Sequence, residues 1–416
     1  MIGLVKRLLK DTDTDFRFIP FGVVILYITS LILSELLLGS YSVLGNIFRI
    51  HPIPYFVDLE ILLCGIDAIR EGLDPYQALC FEGEAYFNYP YLWGVLSIFP
   101  FLSASNHIYI GFGLMLLFFV AIYFFIGKIN FKSALIYSAI LISPAVMLGV
   151  ERGNSDLMIF LLLMIIPLIA YKSKIVTSLL ILLGSMLKIF PIGVIICLFN
   201  FRKNDLKKTI VLAFGVLITF LVYVFIIFDN IVMVSEKTPR PFKEASYGLG
   251  GLPSFLKNYF KINDDNSIYI FLGFTLFCIF SFTFLFRYLN NKTNQPTICE
   301  SRTGIAYLIG SGIFLITCLI GYNWEYRLIF LIFTIPQILS WSAVNRYFKL
   351  LLLIPFILLI WCSLIIPIVG LVVPNGFAYL ISYILTIFLF FMHLYLLLKY
   401  AKQQIKLRIK LNSSYL

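Results

Sequence analysis

The sequence predicts an all-α fold, a polytopic transmembrane bundle of about 11 to 13 helices. Apolar residues make up 61% of the 416 positions and charged residues only 13%, which is far from the balance of a soluble domain. Apolar runs long enough to cross the hydrocarbon layer recur from residue 18 almost to the end, and the charges gather in short connectors. We therefore predict that residues 1–416 form a single integral membrane domain.

Long apolar runs define the predicted spans. The clearest runs cover residues 18–38, 107–127, 132–149, 156–171, 208–228, 268–288, 304–320, 326–342, 348–370 and 376–398. The first run is too long for the core of a signal peptide and lacks a small-residue cleavage site, so we predict a retained helix. Residues 89–103 are apolar but short, and Lys188 and Pro191 interrupt residues 175–199. Each of these two stretches fits a span, a half-span or a hairpin.

The distribution of basic residues decides between two topologies. We place the N-terminus in the cytoplasm. Residues 89–127 then cross the membrane once, and residues 175–199 enter the membrane and return to the side from which they started. Most of the 32 Lys and Arg residues then fall on the cytoplasmic side. The alternative, with two crossings in the first stretch and one in the second, moves several of these cations outside, so we reject it. Both termini are then cytoplasmic, and residues 39–88 and 229–267 form the two outer loops.

Cysteine and histidine usage argues against a structural zinc or haem site. The seven cysteines are scattered singly, and only three histidines are present. Cys64 and Cys80 both fall in the first outer loop and can pair if that loop faces an oxidising compartment, but we expect unpaired, small apolar residues. Membrane topology explains the net charge of +11, and no basic patch interleaved with exposed aromatics predicts nucleic-acid binding.

The first outer loop contains a predicted surface helix. From Asp58 to Glu71, apolar residues recur at helical spacing and acids occupy another face, which predicts a helix along the membrane surface. The apolar positions are Leu59, Leu62, Leu63, Ile66 and Ile69. Gly72 is placed to end this helix, and Asp74 with Pro75 predicts a turn. Asp58 is either a plain N-cap, which the sequence favours, or a carboxylate projected over a membrane-level cavity.

A second polar stretch joins two apolar helices on the same outer side. It comprises Glu151, Arg152, Gly153, Asn154, Ser155 and Asp156. Asn154 or Ser155 can cap the following helix, and Asp156 suits its first turn. A functional role is compatible with this capping role, and we keep both interpretations.

Two further outer positions carry single cations. Lys188 stands three residues before Pro191 in an apolar run, and a lysine within a span is costly. At the tip of a hairpin it can meet a phosphate or a carboxylate, and simple snorkelling to the interface is the alternative. In the connector at 323–327, with the sequence NWEYR, Arg327 can hold an anion with its planar fork or pair with a loop acid.

These stretches, in this order, resemble the GT-C superfamily of polytopic glycosyltransferases. Within it, the chain is similar to glycosyltransferase family 87, whose members depend on polyprenyl-phosphate-mannose. The similarity covers most of the chain. The matching features are Asp58 at the start of the surface helix, G-x-D-P-Y at 72–76, Tyr89-Pro90, ERGNSD at 151–156, K-x-x-P at 188–191 and the aromatic-rich connector that ends in Arg327. The Tyr-Pro-Pro of the family reads Tyr-Pro-Tyr here.

The resemblance implies a hexosyltransferase that moves one sugar, mannose or another hexose, from a polyprenyl-phosphate carrier to a hydroxyl of a lipid, glycan or protein acceptor. Its site would face the extracytoplasmic side of the plasma (inner) membrane. Asp58 would be the catalytic base, and the donor phosphate would bind to Lys188, Arg327 and Arg152. Residues that would shape the site or bind the sugars are Glu151, Asn154, Asp156, Tyr89, Glu325 and Tyr76. No metal ligand set is predicted, and the resemblance leaves open whether a divalent cation assists.

Two other functions fit part of the pattern. Lys188 and Glu35, as charges within apolar runs, are also typical of a lipid-linked sugar flippase or transporter, although the hydropathy shows no inverted repeat. An O-antigen-type polymerase shares the many spans and large outer loops but depends more on paired loop arginines. A transferase differs from a flippase because it forms a new glycosidic bond.

Overall fold

The computed structural model describes residues 14–38, 55–81, 83, 85–199, 206–238, 246–248, 298, 301–320, 323–344, 349–370 and 375–413. The predicted span 268–288 lies outside these residues. Most of the second outer loop, residues 39–54 of the first outer loop and the side chain of Glu35 also lie outside them.

The described chain is predominantly helical, as predicted. Its first elements are α1 (Phe18–Leu38), α2 (Val57–Arg70), β1 (Leu79–Cys80), β2 (Ala85–Tyr86), the 3-10 helices Tyr91–Ile98 and Ala104–Asn106, α3 (His107–Ile126), α4 (Phe131–Leu141), α5 (Pro144–Glu151), α6 (Asp156–Met164) and α7 (Ile166–Ile169). They are followed by α8 (Lys174–Leu187), the 3-10 helix Phe190–Phe199, α9 (Leu206–Ile226), α10 (Phe228–Lys237), β3 (Ser246–Tyr247), α11 (Arg302–Ile320), β4 (Asn323–Trp324), the 3-10 helix Glu325–Thr334, α12 (Ile335–Val344), the π-helix Lys349–Leu353, α13 (Ile354–Ile360), α14 (Cys362–Gly370) and α15 (Asn375–Ser413).

Within the described residues, five helical stretches are long and apolar enough to cross a membrane. They are Ala104–Ile126, Lys207–Ile226, Arg302–Ile320, Glu325–Val344 and Tyr379–Gln404. Each corresponds to a predicted span. The predicted span 132–149 differs, because α4 and α5 meet at an angle of 54°. The bend follows from Ser143, whose Oγ accepts from Val146 N and restarts the helix before Pro144.

The two ambiguous stretches contain only short helices. Residues 89–103 form the 3-10 helix Tyr91–Ile98 and a turn, and the membrane-length helix begins after them. Residues 175–199 form α8 and a second 3-10 helix, separated at Lys188 and Ile189. Each piece is shorter than the roughly 20 residues that a single span needs.

The chain divides into two compact units. One contains residues 1–165, 179–189 and 215–240, and the other contains residues 166–178, 190–214 and 241–416. We call them the first and the second unit and describe each by itself.

In the first unit, α2 confirms the helix predicted in the first outer loop. Leu59, Leu62, Leu63 and Ile66 are all at most 1% exposed, because α2 packs against the two short 3-10 helices and α3. Gly72 has φ +76 and its N–H donates to Ile69 O, so the helix ends where the sequence predicts. Whether α2 lies along a membrane surface stays a prediction.

The expected N-cap role of Asp58 is wrong. Phe56, with φ +61, is the N-cap, and it makes no side-chain capping bond. Asp58 lies two residues further on, inside the first turn. Its carboxylate is therefore directed to other partners, which are described below.

The expectation of unpaired cysteines in the first outer loop is also wrong. Cys64 of α2 and Cys80 of β1 form a disulfide across a Cα–Cα distance of 5.8 Å. The turn after α2 explains the pairing, because Asp74 Oδ1 accepts from Tyr76 N and returns the chain toward the helix. The two residues of β1 then pair with β2 in an antiparallel hairpin.

In the second unit, α11 is the central helix. It packs against the 3-10 helices Phe190–Phe199 and Glu325–Thr334 and against α15. Two glycines meet closely in this packing: a Cβ added to Gly193 would stand 2.3 Å from Gly312 O. Small residues are typical of helix contacts in membranes, where close backbone packing replaces the hydrophobic effect.

Candidate functional site

The polar stretch at 151–156 is a tight turn between α5 and α6. Gly153 has φ +58, and its position would bring an added Cβ within 3.1 Å of Phe56 and Leu59 side chains. Asn154 N donates to Gly149 O, which closes the end of α5. A glycine is therefore required here for its conformation and for the close contact with α2.

Backbone hydrogen bonds join this turn to the start of α2. Phe56 N donates to Glu151 O at 2.7 Å, and Asp58 N donates to Arg152 O at 3.0 Å. The last carbonyls of α5 thus accept hydrogen bonds from amides at the beginning of α2. Each helix end therefore pairs with backbone groups that the other helix leaves without an intrahelical partner. This arrangement fixes Asp58 beside Arg152 although 94 residues separate them in the sequence.

The Asp58 carboxylate accepts three hydrogen bonds. Arg152 binds it with two nitrogens, Nε to Oδ2 at 2.9 Å and Nη2 to Oδ1 at 2.5 Å. Asn154 Nδ2 donates to Oδ2 at 2.5 Å. The side chains of Asp58 and Arg152 are 9% and 14% exposed, so this bidentate ion pair lies almost entirely out of water.

Asn154 connects this ion pair to a second one. Its Oδ1 accepts from Asp156 N at 2.9 Å and also from Lys188 Nζ at 3.3 Å. The N-cap residue of α6 is Ser155, whose side chain makes no capping bond. Lys188 Nζ also contacts Asp156 Oδ1 at 2.5 Å, and the Asp156 side chain is fully buried. We call Asp58, Arg152, Asn154, Asp156 and Lys188 the polar cluster.

Aromatic residues form one wall of the polar cluster. The Tyr89 hydroxyl donates to Asp58 O at 3.0 Å, and Lys188 Nζ lies 5.7 Å from the centre of the Tyr89 ring. Tyr76 OH donates to Tyr89 O at 3.1 Å. Burial raises the pKa of the Tyr76 phenol to about 12, which keeps this donor protonated.

Two contacts that the sequence does not indicate support this wall. Trp93 Nε1 donates to Leu187 O at 3.0 Å and fixes the end of α8 next to Lys188. Lys237 Nζ donates to Tyr76 O and lies 4.4 Å from the centre of the Tyr86 ring. These partners are distant in sequence, and neither Trp93 nor Lys237 belongs to a motif, so no signal could have identified them.

The remaining predicted site residues differ in placement. Glu151 takes part through its backbone carbonyl. Glu325 and Arg327 belong to the second unit, where Glu325 is 4% exposed. Arg327 Nη1 donates to Asn323 Oδ1, and its guanidinium lies 5.5 Å from the centre of the Phe190 ring.

The structure thus brings together most of the residues predicted for the site. Asp58, Arg152, Asn154, Asp156, Lys188, Tyr89 and Tyr76 all lie in the first unit and form one connected set of contacts. Across the ranges that the structure describes, no three His, Cys, Asp or Glu side chains are grouped as metal ligands. Comparisons with protein-family models, curated proteins and solved structures found no match to this chain.

Proposed function

We propose that this chain is a membrane glycosyltransferase that moves one sugar from a polyprenyl-phosphate carrier to an acceptor hydroxyl on the extracytoplasmic face. One observation supports it above the others: two carboxylates, two cations and an amide converge at helix ends, among the apolar helices of the described residues. Buried charges at helix breaks are costly, and they are commonly retained where a reaction or a charged ligand needs them.

The disulfide in the first outer loop supports an extracytoplasmic location. Disulfides form and persist in oxidising compartments and are rare in the cytosol. Cys64 is in the same helix as Asp58, so the compartment that oxidises Cys64 is the one that the start of α2 faces. This agrees with the distribution of basic residues, which is a separate observation.

In the proposed reaction, Asp58 is the general base. The acceptor hydroxyl attacks the anomeric carbon, the bond from that carbon to the phosphate oxygen breaks, and the hydroxyl proton passes to Asp58. A carboxylate offers about four acceptor positions, and contacts from described residues take three of them. The fourth, on Oδ1, is where the acceptor hydroxyl would donate.

The departing phosphate needs cations, and Arg152 and Lys188 can supply them. Each is held by a carboxylate in the structure, Arg152 by Asp58 and Lys188 by Asp156. A guanidinium fork binds phosphate as well as carboxylate, so the donor phosphate would exchange for Asp58 on Arg152. This exchange would free two further acceptor positions on Asp58 only when a donor is bound.

The experiment is a transfer assay. Membranes that contain the protein are incubated with a radiolabelled polyprenyl-phosphate sugar, and label bound to an acceptor is measured. Asp58→Asn should lower transfer by about 10²- to 10⁴-fold, the usual contribution of a general base. Glu71→Gln is the matched control, because Glu71 is exposed at the end of the same helix.

Two outcomes would overturn the proposal. Transfer by Asp58→Asn at the rate of the unchanged protein would remove Asp58 as the base. Label that crosses the membrane without a new glycosidic bond would identify a flippase instead.

A further inference from the structure

The segment between the first outer loop and α3 has an exposed apolar edge. Tyr91, Val95, Ile98, Phe99 and Phe101 are between 43% and 68% exposed. We call these five residues the ridge. No Asp, Glu, Lys or Arg occurs from residue 85 to residue 127. The ridge is therefore a set of exposed apolar residues in a segment that carries no charged side chain of its own.

The opposite face of this segment is fixed to the protein. Trp93 is 3% exposed, and Gly94 lies so close to α2 that an added Cβ would stand 2.6 Å from Ile69 Cδ1. The 3-10 helix Tyr91–Ile98 therefore has one face against α2 and the other face outward. The ridge is exposed because the opposite face of this segment packs tightly against the protein.

The backbone of the turn after this helix is satisfied by protein side chains. Arg70 donates to three carbonyls, those of Ser97, Phe99 and Leu102, each at 3.1 Å. Asn106 Nδ2 donates to Phe101 O at 3.0 Å. Carbonyls of a turn in water can bond to the solvent, whereas irregular backbone at membrane depth must find its partners within the protein.

The charged side chains that bind the backbone of this turn neutralise each other. Asp67 Oδ1 accepts from Arg70 Nη1 at 2.5 Å, and Asp67 Oδ2 accepts from Ser103 Oγ and Ala104 N, both at 2.8 Å. The turn thus enters the membrane-length helix Ala104–Ile126 with no net charge. That helix has exposed apolar residues of its own, such as Tyr109 at 80% exposure, so the apolar surface continues from the ridge.

We propose that the ridge is inserted into the boundary between lipid headgroups and acyl chains, as a short wedge that does not cross the membrane. The occupant of this surface is bilayer lipid. Such a wedge would hold α2, and with it Asp58, at the level of the membrane surface. The inference goes beyond the proposed function and does not depend on any transfer reaction.

The test measures tryptophan quenching in vesicles. Val95→Trp and Ile98→Trp are each reconstituted into phospholipid vesicles with brominated acyl chains, and the added emission is compared with that of the unchanged protein, which has four tryptophans. Gln77→Trp is the matched control, because Gln77 is exposed and polar in the turn between α2 and β1. We expect brominated lipid to remove most of the emission added at positions 95 and 98, and aqueous iodide to quench position 77.

Two results would overturn the inference. Iodide quenching at position 95 equal to that at position 77 would place the ridge in water. Protection of position 95 from both quenchers would instead indicate contact with another protein or with a second copy of this chain. Both substitutions replace exposed side chains, and retention of the Cys64–Cys80 disulfide would verify the fold of the loop.

Discussion

Each of the two compact units contains a buried polar network, and the networks differ in charge and position. In the first unit, the polar cluster contains two carboxylates and two cations at the ends of helices. In the second unit, His393 Nδ1 lies 3.0 Å from Tyr307 OH and 2.9 Å from Ser311 Oγ. This second network joins α11 and α15 within long helices, and His393 is 1% exposed.

Under the proposed function, this difference separates polar groups that hold helices together from polar groups that take part in chemistry. Hydroxyl and imidazole groups between two helices stabilise their packing at modest cost. Opposite charges at helix breaks cost more to bury, and charged groups inside membrane proteins are commonly functional.

The largest effect on stability is expected from Asp156→Ala. This substitution leaves Lys188 without its carboxylate, and removal of one partner of a buried ion pair costs about 3 to 5 kcal/mol. The Asp156 side chain is fully buried and that of Lys188 is 12% exposed, so water can compensate little of the loss. The measurement is thermal unfolding of the purified protein in detergent.

The control removes both charges. Asp156→Leu combined with Lys188→Met should restore most of the stability that Asp156→Ala loses, because apolar pairs can replace buried ion pairs at little cost. We expect the double variant to fold but to transfer sugar poorly. A double variant with full transfer would show that this ion pair, like the His393 network, only supports the structure.

The sequence predicts the helical membrane fold and much of the candidate site, because both depend on patterns within single segments. Apolar composition predicts the five membrane-length helices of the described residues, and Asp58, Lys188 and 151–156 are conspicuous as polar residues among apolar ones. Three-dimensional contacts could not be predicted. The bidentate contact of Arg152 with Asp58 arises because the end of α5 accepts from the start of α2.

Because three-dimensional contacts could not be predicted, two of the sequence-based predictions are wrong. Asp58 was expected to cap its helix because Asp is a common N-cap, but the carbonyls of Glu151 and Arg152 satisfy the amides there. The Cys64–Cys80 disulfide depends on a turn that folds β1 back to α2. Spacing alone could not distinguish that disulfide from two separate thiols.

The disulfide should contribute somewhat less than the buried ion pair. Its two cysteines are 16 residues apart, and the chain-entropy estimate for such a loop is about 3 kcal/mol. We expect Cys64→Ser with Cys80→Ser to lower the unfolding temperature and to weaken transfer, because α2 positions Asp58. Reduction by dithiothreitol should reproduce both changes in the unchanged protein and neither change in the double variant.

Replacement of arginine by lysine should have an intermediate effect. Arg152→Lys keeps the charge but loses the fork that contacts both Asp58 oxygens. In the proposed reaction the same fork binds the donor phosphate, and loss of one charge-assisted hydrogen bond to that phosphate costs about 1.5 to 3 kcal/mol, equivalent to roughly a tenfold to hundredfold reduction in transfer.

The smallest effect is expected from Ser311→Ala in the second unit. This substitution removes one hydroxyl contact with His393, and interhelical hydrogen bonds in membrane proteins average about 0.6 kcal/mol. Ser363→Ala is the matched control, because Ser363 is also buried in the second unit and its hydroxyl has no hydrogen-bond partner among the described residues. Ser311→Ala should unfold at a slightly lower temperature than Ser363→Ala, and both should transfer sugar at the normal rate per folded molecule. A strong loss of transfer in Ser311→Ala alone would show that the His393 network belongs to the reaction, and charge at helix breaks would then no longer separate chemistry from packing.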